Sequence, residues 1–229
     1  MQVILDNLPL LLRGAGLTIA LTLLAYAFAL VLGTAVAVMR VSPIPPLRWA
    51  GTVYVEIFRN IPLLSLLILI AFGLPDAGVI LPYFWCGVAA LTLSSAAFVC
   101  ENVRSGINTV PVGHAEAARS IGLGFFGVLR FVVLPQAFRT MVQPLVNVFI
   151  GTLLGSSLCA AISVREMTQL TQRLTGETAQ AVPLFLFSGT IYLALSLLIA
   201  YGGRRLERAV APASRRPRVT ARLQGAAQA

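Results

Sequence analysis

The sequence predicts an all-α integral membrane protein with five transmembrane helices. Of its 229 residues, 58% are hydrophobic and 11% are charged, whereas an average soluble domain has about 25% charged residues. Crossing about 30 Å of hydrocarbon takes roughly 20 mostly apolar residues in a helix. Five stretches meet that length, namely residues 16–39, 53–72, 84–104, 141–162 and 182–201.

The first stretch is predicted to be a membrane span and not a cleaved signal peptide. Ala35 and Ala37 form an A-x-A-like pair after it. However, residues 14–39 are uncharged throughout. This uncharged run is too long for a signal-peptide core of about 7–15 residues. Residues 1–13 form either an amphipathic helix on the outer surface or an extension of this span.

The second stretch is the weakest prediction. Glu56 and Arg59 interrupt it near one end, and Pro62 is expected to kink it.

The distribution of arginine predicts the direction of the chain, because short cytoplasmic loops are enriched in basic residues. With the N-terminus outside, the outer segments hold only Arg13, Arg165 and Arg173. The inner segments hold the arginines at 40, 48, 104, 119, 130, 139 and from 204 onward. The C-terminus is therefore expected in the cytoplasm. The tail, residues 209–229, is predicted to be disordered and attracted to anionic lipid.

Several functions are disfavoured by composition. All 17 basic residues are arginine, so the chain has neither a P-loop lysine nor a Schiff-base lysine, and ATP-driven work falls to a partner. The net charge is +9, but the arginines are scattered between apolar spans. They do not form the single basic face of a nucleic-acid-binding domain. Cys86, Cys100 and Cys159 lie in apolar runs without metal-ligand spacing. No catalytic residue, metal site or cofactor is predicted.

The loop of residues 105–140 is long enough to suggest a function. Pro111 predicts the start of a short helix, and Gly122 predicts its end. A small-residue face in this helix would allow close approach to another protein, while packing onto its own bundle is the alternative. Glu116 near the helix N-terminus is favoured by the helix dipole.

Specific residues of this loop carry a resemblance to a known family. The loop contains Glu116, Ala117, Ala118, Gly122, Leu134 and Pro135. At these spacings it resembles the EAA loop of ABC importer permeases. Residues 59–64 resemble the R-N-x-P-L-L pattern of the polar amino-acid branch of that family. Residues 101–107 resemble its E-x-x-R-x-G-I pattern, and residues 135–139 resemble its P-Q-A-F-R.

The resemblance implies the type I ABC importer permease fold over residues 14–208, with a cytoplasmic EAA coupling helix. It implies a second permease subunit, a cytoplasmic ABC ATPase dimer docked on the coupling helices, and a periplasmic solute-binding protein. It also implies import of a polar amino acid, of glutamate/aspartate type, across a bacterial inner membrane. Leu154 and Gly155 depart from a pattern in which a basic residue is frequent, and His114 stands where glutamine is common.

Two pairs of charges share an E-x-x-R spacing, Glu56 with Arg59 and Glu101 with Arg104. Residues three apart lie on one helix face, so each pair is predicted to neutralise itself. Their role is either structural anchoring or an inner gate.

Polar residues at mid-span are few. Ser156 and Ser157 are predicted to line the substrate pathway, although such hydroxyls also serve helix packing. Three alternative functions are a secondary transporter or channel, a membrane enzyme, and an assembly partner for an unlike permease. A secondary transporter would be expected to carry ionisable relay residues at mid-span.

Overall fold

The computed structural model describes residues 2–210, which form helices and loops without a β-strand. The predicted basic tail lies outside the described residues from position 211 onward. The helices are α1 (Gln2–Asp6), α2 (Leu8–Val41), α3 (Pro45–Asn60), α4 (Leu63–Ile68), α5 (Leu74–Asp76), α6 (Tyr83–Asn108), α7 (Val112–Ser120), α8 (Phe125–Val128), α9 (Leu134–Gly155), α10 (Met167–Thr178) and α11 (Ala181–Val210).

Three short segments continue these helices with altered winding. The π-helical turns Leu69–Gly73 and Leu129–Val133 follow α4 and α8, and the 3-10 segment Ser156–Ile162 follows α9. Pro75 and Pro135 each come two residues after a π-helical turn. Because proline has no N–H, a shift in the hydrogen-bond ladder at these points is expected.

Four of the predicted spans are confirmed as parts of long apolar helical runs, which are α2, α6, residues 125–162 and α11. The span predicted over residues 53–72 is present as a bent pair of helices, in line with the kink expected at Pro62. The chain bends by 103° between α3 and α4. Ile61 and Pro62 are extended there, since a residue before proline is disfavoured in helical conformation. Taken together, the two arms count as a fifth, broken span.

The helices run alternately between two ends of the bundle, which we name after α7 and α10. At the α10 end, Gly14 of α2 lies against Leu170 of α10. At the α7 end, Val41 of α2 packs beside Val128 of α8. Residues 8–13 continue α2, and Leu11 is buried with Met167 and Leu184. The extension alternative is therefore correct for these residues.

Close contact between α2 and α6 forms the centre of the bundle. A β-carbon added at Gly33 of α2 would lie 2.6 Å from the carbonyl oxygen of Ala96 and 2.6 Å from Cβ of Val99. The adjoining core contains Val36 of α2 and Val55 of α3. Glycine at position 33 thus sets the spacing of the two central helices, as small residues do in membrane bundles.

We expect Gly33→Ala to destabilise the protein by about 1–3 kcal/mol, because the added methyl group meets backbone and cannot be relieved by rotamer changes. The measurement is thermal unfolding in detergent. Gly16→Ala is the matched control, since nothing lies within 4 Å of its added β-carbon. Equal melting temperatures for the two variants would contradict the close approach.

Candidate functional site

A cavity of about 720 Å³ lies beside the break between α3 and α4. It is bounded by α6 on one side and by α9 on the other. Its polar lining residues are Arg59, Ser94, Ser95, Asn102, Gln143, Asn147 and Thr152. Polar groups are costly in hydrocarbon, so their convergence here makes this cavity the candidate site.

Some of these polar groups already bond to one another. The hydroxyls of Ser95 and Thr152 are 2.8 Å apart, and the Asn102 amide donates to the carbonyl of Pro144. By contrast, Oε1 of Gln143 is buried and has no hydrogen-bond partner within residues 2–210. Asn147 is exposed. The cavity wall therefore retains hydrogen-bonding capacity.

A cluster of four charges adjoins this cavity. The Glu101 carboxylate of α6 pairs with Arg40 of α2, with Arg59 of α3 at 3.8 Å and with Arg104 at 3.6 Å. The Arg59 guanidinium also lies over the Phe98 ring, 5.5 Å from its centroid. The side chains of Arg40 and Glu101 are only 10% and 28% exposed. One carboxylate thus joins three helices and leaves the cluster with two excess positive charges.

The predicted Glu101–Arg104 pair forms, but the predicted Glu56–Arg59 pair does not. Arg59 turns toward Glu101, and Glu56 accepts instead from the side chain of Asn60. Arg40 was not predicted to join the cluster, because its place near the end of α2 suggested a loop charge. In the structure, Gly51 of α3 lies against the Arg40 side chain, so the two helices meet here.

The α7 helix occupies the predicted position, from Pro111 as its N-cap to a stop at Gly122. Gly122 has φ +90°, a conformation that favours glycine, and its N–H donates to the Arg119 carbonyl at 2.9 Å. Ala118 is buried against Val128 and its neighbours.

The small residues of α7 do not all share one face. Ala115 and Ala118 pack on the protein's own bundle, whereas Glu116 and Ala117 are exposed. The packing alternative is thus realised on one face of α7, while the face with Glu116 and Ala117 is exposed. Leu134 is partly buried beneath α7, and Pro135 is exposed beside it.

A side-chain contact ties α7 to the long helix α9. Nδ1 of His114 lies 2.8 Å from Oε1 of Gln136, and the Gln136 amide donates to the Val132 carbonyl. Together with the packing of Ala118, this contact connects α7 with the helix that lines the cavity.

Ser156 and Ser157 lie outside the cavity, in the 3-10 segment at the α10 end. The Ser156 hydroxyl is buried and donates to the Leu153 carbonyl at 2.6 Å. Ser157 faces a separate shallow pocket with Thr168 and Tyr192.

Glu166 is a buried carboxylate that sequence reasoning missed. Its side chain caps α10 by accepting from the N–H groups of Thr168 and Gln169, at 2.9 and 2.8 Å. It also accepts from the hydroxyls of Thr18 at 3.4 Å and Tyr192 at 2.6 Å. Burial raises the pKa of Glu166, while these four hydrogen bonds oppose the rise. Through these hydrogen bonds the residue connects α2, α10 and α11 at this end.

Comparison with known proteins agrees with this architecture. Residues 29–212 match the family model described as "Binding-protein-dependent transport system inner membrane component". The chain is 35% identical to the "Probable glutamine ABC transporter permease protein GlnM" of Bacillus subtilis (strain 168), over 90% of this chain and 96% of that one. It is 38% identical to the "Glutamate transport system permease protein GluC" of Corynebacterium efficiens, over 71% and 76%.

A solved structure described as an amino acid ABC transporter with histidines superposes with a TM-score of 0.82 at 32% identity, covering 90% of this chain and 96% of that one. The chain therefore belongs to the family of inner-membrane components of binding-protein-dependent transport systems. It is a multi-pass permease of an ABC importer, a transport subunit whose ATP hydrolysis is carried out by a separate protein. This membership decides against the secondary-transporter and membrane-enzyme alternatives.

We expect Glu101→Gln to destabilise the permease by about 2 kcal/mol, less than the roughly 3–5 kcal/mol for breaking a fully buried pair. Three guanidinium groups lose their shared counter-charge. Glu56→Gln is the control, since Glu56 forms no ion pair within residues 2–210. Thermal unfolding in detergent checks both.

The double reversal Glu101→Arg with Arg104→Glu separates this cluster from a simple pair. It should not restore stability, because position 101 would then present a cation to Arg40 and Arg59. Full rescue would mean that Arg104 is the only partner that matters.

We expect Glu166→Ala to cost about 1–3 kcal/mol, because two helix N–H groups lose their acceptor. Since the native pKa of Glu166 is raised, its contribution is fully present below the ordinary pKa of a glutamate and declines as pH rises through the raised value. The difference in melting temperature from wild type should therefore be larger at acid than at neutral pH. Glu177→Ala, exposed on the same helix, should show little effect at either pH.

Proposed function

We propose that this permease carries a polar amino acid with an acidic or amide side chain through the cavity between α6 and α9. The observation that carries this proposal is the charge of the cavity wall. Within residues 2–210, Arg59 is the one ionisable residue that lines it, and amides and hydroxyls supply the remaining polar groups. A lysine or arginine substrate would meet the excess positive charge of the cluster that Arg59 shares with Glu101, whereas a carboxylate or amide would find donors. Glutamine and glutamate in the names of the relatives agree with this class.

A second permease subunit, identical or homologous, completes the pathway. The side chain of Arg59 is 44% exposed and Asn147 is exposed on the same membrane-embedded face. Lipid would leave both groups unsatisfied. A facing permease would cover them and enclose the cavity on its open side.

The α7 end lies in the cytoplasm and the α10 end faces outward. Arginines at 40, 48, 104, 119, 130 and 139, with those at the end of α11, lie toward the α7 end, and only Arg13, Arg165 and Arg173 lie toward the other. This places α7 where an ABC ATPase dimer can reach it, and places α10 toward a solute-binding protein.

The exposed face of α7, with Glu116 and Ala117, docks the ATPase. When the two ATPases close, α7 is drawn along with α9 through Ala118 and through the His114–Gln136 contact. Because α9 carries Gln143 and Asn147, this movement shifts the cavity wall relative to the facing permease. The permease itself contributes binding differences between two packings and no bond-breaking chemistry.

The test is transport in proteoliposomes that contain both permeases, the ATPase and the binding protein. Arg59→Gln should reduce uptake of an acidic or amide amino acid at least tenfold and weaken the discrimination against cationic ones. Unchanged uptake and selectivity in Arg59→Gln would refute the cavity as the selective site.

The double variant Ser156→Ala with Ser157→Ala tests whether those hydroxyls also line the pathway. A lowered transport affinity in this variant would support that role.

Docking is tested separately with Glu116→Lys. We expect this variant to lose co-purification with the ATPase, whereas Glu177→Lys at the opposite end should retain it. If Glu116→Lys keeps the ATPase bound and couples ATP hydrolysis to transport normally, α7 does not dock through this face.

A further inference from the structure

We propose that the apolar groove between α2, α9 and α11 is a binding site for an anionic phospholipid, with its acyl chain along the groove and its phosphate at the arginines of the α7 end. The groove has a volume of about 660 Å³. Its walls are mostly aliphatic and aromatic, among them Phe138, Val142, Val146, Phe149, Ile199 and Leu206. Within residues 2–210, Arg139 is the single charged residue of the lining. This site is separate from the cavity of the proposed function.

Two glycines of α11 create the groove. Gly203 touches α9 so closely that an added β-carbon would lie 2.5 Å from a methyl group of Val146. At the neighbouring Gly202, nothing lies within 4 Å of an added β-carbon. One glycine therefore brings the helices together, and the other leaves empty space beside the contact.

The groove has the length of an acyl chain in one leaflet. From Arg139 to Phe149 its α9 wall corresponds to about 15 Å at 1.5 Å per residue. Half of a bilayer's hydrocarbon core is about 15 Å. The deep end is closed by Tyr26, whose hydroxyl donates to the Leu145 carbonyl and whose ring stacks on Phe149 at 4.5 Å. A chain entering from the membrane surface would thus end near mid-bilayer.

The opposite end of the groove is strongly basic. Arg139 lies there beside the last turns of α11, which carry Arg204, Arg205 and Arg208 against the one acid Glu207. Within residues 2–210, none of these four arginines forms an ion pair. This excess of positive charge favours an anion here, and basic pockets between spans commonly bind acidic headgroups.

A lipid fits these charges better than a second permease does. In a two-fold interface centred on this groove, each subunit would present the same arginines to its partner. Like charges would then meet at the membrane edge, whereas a phosphate would neutralise them.

The experiment measures lipid binding to the full complex of permease and ATPase, delipidated in detergent and titrated with phosphatidylglycerol or phosphatidylcholine under native mass spectrometry. We expect preferential binding of phosphatidylglycerol. Arg139→Gln should weaken that binding about fivefold, since a basic residue near the surface contributes about that factor. Arg165→Gln, which removes the same charge at the other end, should change nothing.

Gly202→Leu tests the groove itself by filling it. This variant should abolish the preference for phosphatidylglycerol, whereas Gly189→Leu, an equally open position on α11 away from the groove, should keep it. Equal binding of the two lipids to the wild type would overturn the proposal, leaving only nonspecific acyl contacts. Loss of the second permease from the Gly202→Leu complex would also overturn it, because the groove would then be a protein interface.

Discussion

The carboxylate of Glu101 joins three helices that apolar packing alone would leave free to slide. No water is available in hydrocarbon to solvate a charge, so three guanidinium groups and one carboxylate are each costly there unless they meet. They meet because Gly51 brings α3 against the Arg40 side chain, and because Arg59 is the second-last residue of α3. Arg59 therefore lies at the end of α3, and the 103° bend at Ile61 and Pro62 follows directly after it. The cavity beside this bend depends on the same ion pairs, since Arg59 belongs to both.

The faces of the long helix α9 lie against different parts of the structure. Toward the core it buries Ala137, Met141 and Leu145. Toward the cavity it presents Gln143 and Asn147, and toward the lipid it presents the groove that begins at Arg139. Its first turn is fastened to α7 by the His114–Gln136 contact. On the proposed mechanism, a displacement of α7 would therefore reach the cavity wall through α9 alone.

Hydropathy predicted the four long helical runs correctly, because each must satisfy its own backbone over the width of a bilayer. Proline and glycine likewise predicted the two ends of α7. The partner of Arg59 could not be predicted in this way. Spacing along one helix favoured Glu56, but the competing carboxylate of Glu101 comes from a helix that is distant in sequence. Glu166 escaped notice for the same reason, since its role as a buried cap depends on Thr18 and Tyr192 from two other helices. Pro62 indicated a kink, yet the size of the bend depends on what α4 packs against.

Ion pairs and hydrogen bonds connect the helices of the subunit at both ends of the bundle. These contacts limit how the permease can move. At the α7 end the Glu101 cluster joins α2, α3 and α6, and at the α10 end Glu166 joins α2, α10 and α11. Between them, Gly33 holds α2 and α6 in backbone contact. Separating these helices would leave buried charges and hydrogen-bonding groups unpaired, at a cost of several kcal/mol. Moving the whole subunit against a neighbour would break none of these contacts. On the proposed assembly with a facing permease, opening and closing of the pathway would therefore be cheapest as a rigid-body rotation of one whole subunit against the other.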